Sequence, residues 1–252
     1  MCLLVIAWQR LPATPFVLVG NRDELHARPT EAMAWWTEPA ILAGRDLKAG
    51  GTWLAVARDG RFAVVTNITG STPVPDAPSR GLLIPGYLSR PQTPAEFLGE
   101  LARHAHRYTP FCLLAGDRSS LCYYSSREPA PRSLAAGVYG LGNFGLDTPE
   151  PKLVASRARL EQLVATHSVS IQSLLALMAD ATPVPDALLP NRGRPRELER
   201  RLSAPFVIGS EYGTRCTTAL IAGAGELEIA EQSFDAGGSA IGRRDYRFAI
   251  AG

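Results

Sequence analysis

The chain predicts an α+β fold in which antiparallel sheets are covered by helices, and three observations carry that expectation. Apolar runs come as strand pairs at both ends of the sequence, helical periodicity is confined to the middle, and strand and helix never alternate as βαβ units. With 252 residues, 46% hydrophobic and 20% charged, the chain is long enough for a sizeable core and is globular in composition. No internal repeat or linker stands out, so residues 1–252 read as a single domain.

The first pair is Cys2 to Trp8 and Phe16 to Gly20, apolar runs bounded by Arg10, Pro12 and Pro15. A turn centred near Pro12-Ala13 sets Cys2 opposite Asp23, with Asn21 and Arg22 beside it. A one-residue slip would exchange Arg22 and Asp23. A loop carrying Trp35, Trp36 and the Gly50-Gly51 turn follows. The second pair is Thr52 to Ala57 and Arg61 to Asn67 about Asp59-Gly60, a strong hairpin signal that sets Thr52 opposite Asn67. Residues 71–79 read as loop. Helices are expected over Arg80–Ser89 and Pro94–Tyr108, strands at Phe111–Ala115, Leu121–Ser125 and Gly137–Gly140, and helices after Pro151 and over Ile171–Ala179. The segment 182–205 reads as a loop with five prolines and Arg192, Arg194, Arg196, Arg200 and Arg201, a solvated lid. Strands close the chain at Phe206–Gly209, Thr214–Ala222, Leu227–Phe234 and Tyr246–Ile250.

Chemistry concentrates at the first strand. Loss of Met1 would leave Cys2 with a thiol and an α-amine on one residue. An α-amine has a pKa of about 7.7–8.0, so it acts as a base near neutral pH, and the thiol is the nucleophile that acyl transfer needs. The carboxylate of Asp23 suits holding the α-ammonium, and the guanidinium of Arg22 favours a thiolate. The competing reading makes Cys2 the first buried residue of a strand.

Other classes are less well served. A net charge of +2 gives no footprint for nucleic acid or an anionic membrane. Cys2, Cys112, Cys122 and Cys216 show no paired spacing, which suits a reducing compartment, and with His26, His104, His106 and His167 they form no metal-ligand set. The opening apolar run of about seven residues is too short for a signal peptide or a membrane span. A cytoplasmic protein with no membrane span is expected.

Met1-Cys2, Asn21-Arg22-Asp23-Glu24, Gly50-Gly51-Thr52-Trp53-Leu54, Pro78-Ser79-Arg80-Gly81, Gly140-Leu141-Gly142-Asn143, Leu146-Asp147-Thr148-Pro149, Pro151-Lys152 and Tyr212-Gly213-Thr214-Arg215 follow one another in order. In these motifs the chain resembles the NRDE family, the homologues of transport and Golgi organisation protein 2, from position 1 to about 234. It departs where the family usually has serine, at Gly142 and Cys216, and where it usually has tryptophan, at Glu150. That family resembles in turn the N-terminal-nucleophile cysteine hydrolases of the penicillin V acylase and choloylglycine hydrolase type. The resemblance implies a four-layer αββα sandwich of two antiparallel sheets. It further implies Cys2 as nucleophile and base, Arg22 and Asp23 holding thiolate and ammonium, Asn143 and Asn67 as oxyanion donors, and Arg215 as the distal arginine. As turn former, strand terminator and surface pair, Asn143, Asn67 and Arg215 each have a plainer reading, and Arg80 reads as pinning its helix.

Three functions follow as expectations. The first is an N-terminal-cysteine amidohydrolase cleaving the carbon–nitrogen bond of a small amide through a thioester. The second is a non-catalytic binding or trafficking protein on the same fold, with haem the leading ligand, as the family's links to haem handling and Golgi organisation imply. The third is a redox role for the Cys2 thiol. No cofactor is expected otherwise. Trp35, Trp36 and Trp53 suit a bulky apolar group and the arginines of 192–201 a carboxylate, so a small-molecule partner, bulky and carboxylated, fits either of the first two.

Overall fold

The computed structural model describes residues 2–251, apart from the side chain of Cys2. Among the described residues, fourteen strands and five α-helices follow in chain order: β1 (Cys2–Leu11), β2 (Thr14–Leu25), β3 (Thr30–Trp35), β4 (Ile41–Asp46), β5 (Leu54–Ala57), β6 (Phe62–Asn67), α1 (Leu83–Leu88), α2 (Pro94–Ala102), β7 (Phe111–Gly116) and β8 (Leu121–Ser125). Then come β9 (Arg132–Ser133), β10 (Gly137–Gly142), β11 (Gly145–Leu146), α3 (Pro151–Ala165), α4 (Ile171–Leu177), α5 (Arg196–Leu202), β12 (Tyr212–Ala222), β13 (Glu226–Phe234) and β14 (Ala240–Ala249).

The strands form two seven-stranded antiparallel sheets. One runs β11-β10-β1-β2-β12-β13-β14 and joins both ends of the chain; the other runs β3 to β9 in sequence order. Strand alternation explains the layering, because successive side chains leave opposite faces. In β1, Leu4, Ile6 and Trp8 enter the core between the sheets, where Phe16 of β2 stacks on Phe62 of β6 with ring centroids 3.9 Å apart. The intervening Leu3, Val5 and Ala7 pack with Leu153 and Leu160 of α3 and Leu174 of α4. In the second sheet Ala63 and Val65 turn to Ile84 of α1 and Leu98 of α2. Helix, sheet, sheet and helix are thus separated by three apolar cores, which is the αββα order.

The structure departs from the sequence reading in register and in weak elements. Cys2 pairs with Arg22 rather than Asp23, because the ladder shifts between Trp8 and Leu11, where Gln9 takes a φ of 51°. Asp23 pairs with Thr214 of β12 instead. In the second hairpin Leu54 faces Val64, and Thr52 lies outside the ladder. The loop holds three residues, Arg58 to Gly60, closed by the Ala57 N–H on Arg61 O with Gly60 at a φ of 85°. Asn67 therefore faces Phe111 of β7.

The expected loop after β2 contains β3 and β4, a short hairpin whose outer strand is largely exposed and so lacks a clear apolar run. Segment 182–205 contains α5, and residues 206–209 form no strand. No helix among the described residues is long and apolar enough to cross a bilayer.

Candidate active site

The end of β2 lies between β1 and β12, and alternation sends its four polar residues to different tasks. Asn21 turns to the helical side and is buried. Its Nδ2 donates to the Met178 and Pro205 carbonyls, both at 2.9 Å, and its Oδ1 accepts from Thr217 Oγ1 at 2.5 Å. Arg22 enters the gap between the sheets, where its guanidinium lies 4.3 Å over the Trp53 ring and donates to Thr30 Oγ1 at 3.3 Å. Asp23 is buried and accepts from Thr214 Oγ1 at 2.7 Å. Glu24 accepts the Leu25 N–H and faces Arg28 at 4.0 Å.

These ends open onto a cleft of about 470 Å³ whose lining includes Arg22, Asp23, Arg28, Asn67, Arg80 and Asn143. Asn143, just after β10, donates through Nδ2 to the Asn67 carbonyl at 2.7 Å and accepts from Thr69 N–H at 2.9 Å. Thr66 Oγ1 donates to the Gly142 carbonyl at 3.3 Å. Those bonds tie the end of β6 to the end of β10 across the two sheets, so two asparagines 76 residues apart meet at one rim.

Four of the six nominated residues, Arg22, Asp23, Asn67 and Asn143, are therefore brought to one cleft. The Cys2 thiol lies outside the described residues; its main chain pairs with Arg22. Arg215 stands apart from this cleft. Its Nη1 donates to the carbonyls of Leu25, His26 and Arg28 at 2.9, 3.2 and 3.2 Å. It lines a neighbouring cavity of about 500 Å³ with Glu231 and Cys216, separated from the first by the shared Arg22 and Trp53. Of the tryptophans expected at a pocket, Trp53 lines the cleft. Trp35 packs on Phe248 at 5.1 Å, and Trp36 receives Arg45 at 4.0 Å.

Three charged groups were not nominated, two lining the cleft and one behind Asp23. Arg28 is held by Asp46 through Nε and Nη2 at 2.8 and 2.6 Å. Arg80 bonds the Pro110 carbonyl at 3.1 Å, which is a pin as expected, yet its guanidinium also borders the cleft. It is delivered there by two glycine motifs in main-chain contact. Thr52 N–H donates to the Gly81 carbonyl at 3.1 Å, and a Cβ on Gly51 would fall 2.4 Å from the Gly81 carbonyl carbon. The pairing of a Gly-Gly-Thr with a Ser-Arg-Gly motif was the available signal. Lys152 is buried on the helical side of Asp23, with Nζ on the Leu202 carbonyl at 2.8 Å.

Burial drives the titration of both acids. It raises the Asp23 carboxyl above the usual range, opposed by the charge of Lys152, the Thr214 hydrogen bond and Arg22. Glu231 is raised in the same way, opposed by the Met33 N–H at 2.7 Å, by Cys216 and by Arg22. Burial lowers Arg80 and Arg215, reinforced by the positive charges of Arg28 and Arg22 respectively.

The family model described as Transport and Golgi organisation 2 matches residues 1–236, and the chain belongs to that family. A Transport and Golgi organization 2 homolog of Mus musculus is 29% identical over 256 residues, covering 92% of this chain and 93% of its own. The Bos taurus homolog is 30% identical over the same shares. Transport and Golgi organization protein 2 of Drosophila melanogaster is 28% identical over 183 residues, 64% of this chain and 63% of its own. Two solved structures are more distantly similar. An ortholog of N-acylethanolamine-hydrolyzing acid amidase from Caenorhabditis elegans, 12% identical, covers 87% of this chain and 92% of its own at a TM-score of 0.49. A mutant conjugated bile acid hydrolase from Clostridium perfringens, 10% identical, covers 98% and 97% at 0.41.

Proposed function

We propose that this member of the Transport and Golgi organisation 2 family is an N-terminal-cysteine amidohydrolase that cleaves a small amide through a thioester, residues 1–252 acting as one domain. One observation carries the reading: the main chain of Cys2 is laddered to Arg22, with buried Asp23 next along the same strand and the cleft at that end of the ladder. A nucleophile, a cation and an acid thus share one end of adjacent strands.

In the proposed reaction the α-amine, exposed by removal of Met1, takes the Cys2 thiol proton as sulfur bonds to the amide carbon. The carbonyl electron pair moves onto oxygen, where Asn143 at the rim, with Asn67, donates to the developing charge. The α-ammonium returns the proton to the leaving nitrogen, the carbon–nitrogen bond breaks, and water then releases the acid from the thioester. Arg22 favours the thiolate and Asp23 steadies the ammonium. Arg215 acts from one step away, by holding the 25–28 loop that carries Arg28. Trp53 supplies the apolar wall for a bulky substituent.

Intact mass of the purified protein, followed by a panel of acyl-amides assayed on Cys2→Ser and wild type, tests the reading. The expected result is a mass lacking Met1 and turnover abolished in Cys2→Ser, which keeps the amine and changes only the nucleophile. A retained Met1 rules out the base. Ligand capture without turnover, unchanged in Cys2→Ala, assigns the cleft to carriage, with haem the first ligand to titrate.

A further inference from the structure

The cleft continues outward past Asn67, Arg80, Thr109 and Asn143 into a second chamber of about 490 Å³. Three arginines line this chamber: Arg80, and Arg194 and Arg201 from the segment around α5. No Asp or Glu among the described residues contributes to its lining. The inner cleft is different, because there Arg28 is neutralised by Asp46 and Asp23 offsets Arg22.

Two of the three guanidiniums, Arg80 and Arg201, have no carboxylate partner among the described residues. Arg80 is half-buried, bonds a main-chain carbonyl and makes no ion pair among the described residues. Arg201 is exposed and likewise lacks one. Arg194 lies 3.9 Å from Glu199, a carboxylate already shared with Arg192, which also holds Glu150 at 2.9 Å. Ile68, Leu198 and Leu202 supply apolar surface beside them. Gathering like charges over apolar surface costs free energy, and an anion placed among them relieves it. With Arg192 and Arg194 balanced by Glu150 and Glu199, the charges of Arg80 and Arg201 remain, and one negative charge would leave one of them uncompensated. Guanidinium forks match the paired oxygens of phosphate and carboxylate.

We propose that the outer chamber is a subsite for a ligand group carrying two or more negative charges, a phosphate or paired carboxylates, held by Arg80, Arg194 and Arg201. As a statement about substrate it rests on the hydrolase reading: the amide would lie at Asn143 and the anionic group one chamber further out. As a statement about binding it does not.

The test is calorimetric titration of the full chain at low salt with pyrophosphate and with citrate, on wild type, Arg194→Gln/Arg201→Gln and Cys2→Ala. Wild type should bind at least one of them saturably. The double variant, which alters two side chains outside the apolar cores, should weaken binding by roughly tenfold or more. Binding of pyrophosphate alone identifies phosphate as the group recognised, and of citrate alone identifies carboxylates. No saturable binding of either, or equal binding by a double variant with native near-ultraviolet circular dichroism, overturns the proposal. Cys2→Ala should bind as wild type does. Loss of turnover alone therefore leaves the subsite standing, and loss of anion binding alone leaves the hydrolase reading standing.

Discussion

The guanidinium of Arg22 lies 4.3 Å over the ring of Trp53, and this stacked pair separates two cavities that would otherwise be one. Arg22 comes from the sheet that carries Cys2, and Trp53 from just before β5, an inner strand of the opposing one, so the pair reports how the sheets meet at the cleft. Gly44 sets the position of Trp53. A Cβ at Gly44 would lie 2.3 Å from Trp53 Cη2, closer than the ring tolerates. Gly44→Ala should therefore push the indole off Arg22, shift tryptophan emission and merge the cavities. The fold should survive, since the displaced Trp53 ring is only partly buried, and unchanged emission would show that the ring moves without cost.

Asn21 belongs to the same motif yet should behave as a structural post. Its amide joins Met178 and Pro205, at either end of the segment that carries α5, to β2, with Thr217 completing the set. Asn21→Ala should cost about 2–4 kcal/mol in urea unfolding, because it strands buried carbonyls and a hydroxyl. Asn21→Asp should fare no better, as it loses both N–H donors. A cost near zero would mean that water replaces all three bonds.

Much of this was legible beforehand, for identifiable reasons. The apolar runs Cys2–Trp8 and Phe16–Gly20 are unbroken because both faces of those strands are buried, so the hairpin and its polar end were readable. The register was not, because one left-handed residue, Gln9, moves the ladder and nothing in its identity marks it. β3 and β4 were missed because the exposed Glu31 and Ala32 dilute any pattern. At the site, Asn143 was findable from its glycine-flanked motif. Arg28 was not, since its place depends on Asp46 across a hairpin; for Arg80 the two glycine motifs were a signal, but not the contact of Gly51 with Gly81 that brings it to the cleft.

Glu231 gives a stability test with a definite sign. Its folded carboxyl is raised, mainly by burial, so the native state binds this proton more tightly than the unfolded chain. Stability from this group is complete below the unfolded value of about 4.3 and is lost as pH rises toward the folded one. Glu231→Gln keeps an acceptor for the Met33 N–H and removes the titration. Thermal melts should show the variant gaining on wild type between pH 4 and pH 8. A constant difference across that range would mean that Glu231 ionises as it does in the unfolded chain.

The last expectation concerns the thiols. Cys112 is buried, accepts the Tyr123 hydroxyl at 3.2 Å, and has its thiol pushed up by burial; Cys122 is raised for the same reason, and Cys216 is buried. Thiolates are the reactive form, so these three should alkylate slowly in the folded protein. Cys2, laddered to Arg22, should react first with iodoacetamide once Met1 is absent, at a rate that falls in Arg22→Gln. Peptide mapping after brief exposure reads both rates in one sample. Arg22→Gln also removes the charge over Trp53, so tryptophan emission, read alongside, separates loss of the cation from collapse of the cleft. Slow labelling of Cys2 in a chain of confirmed mass would argue against a nucleophile there and would leave the cleft to ligand binding.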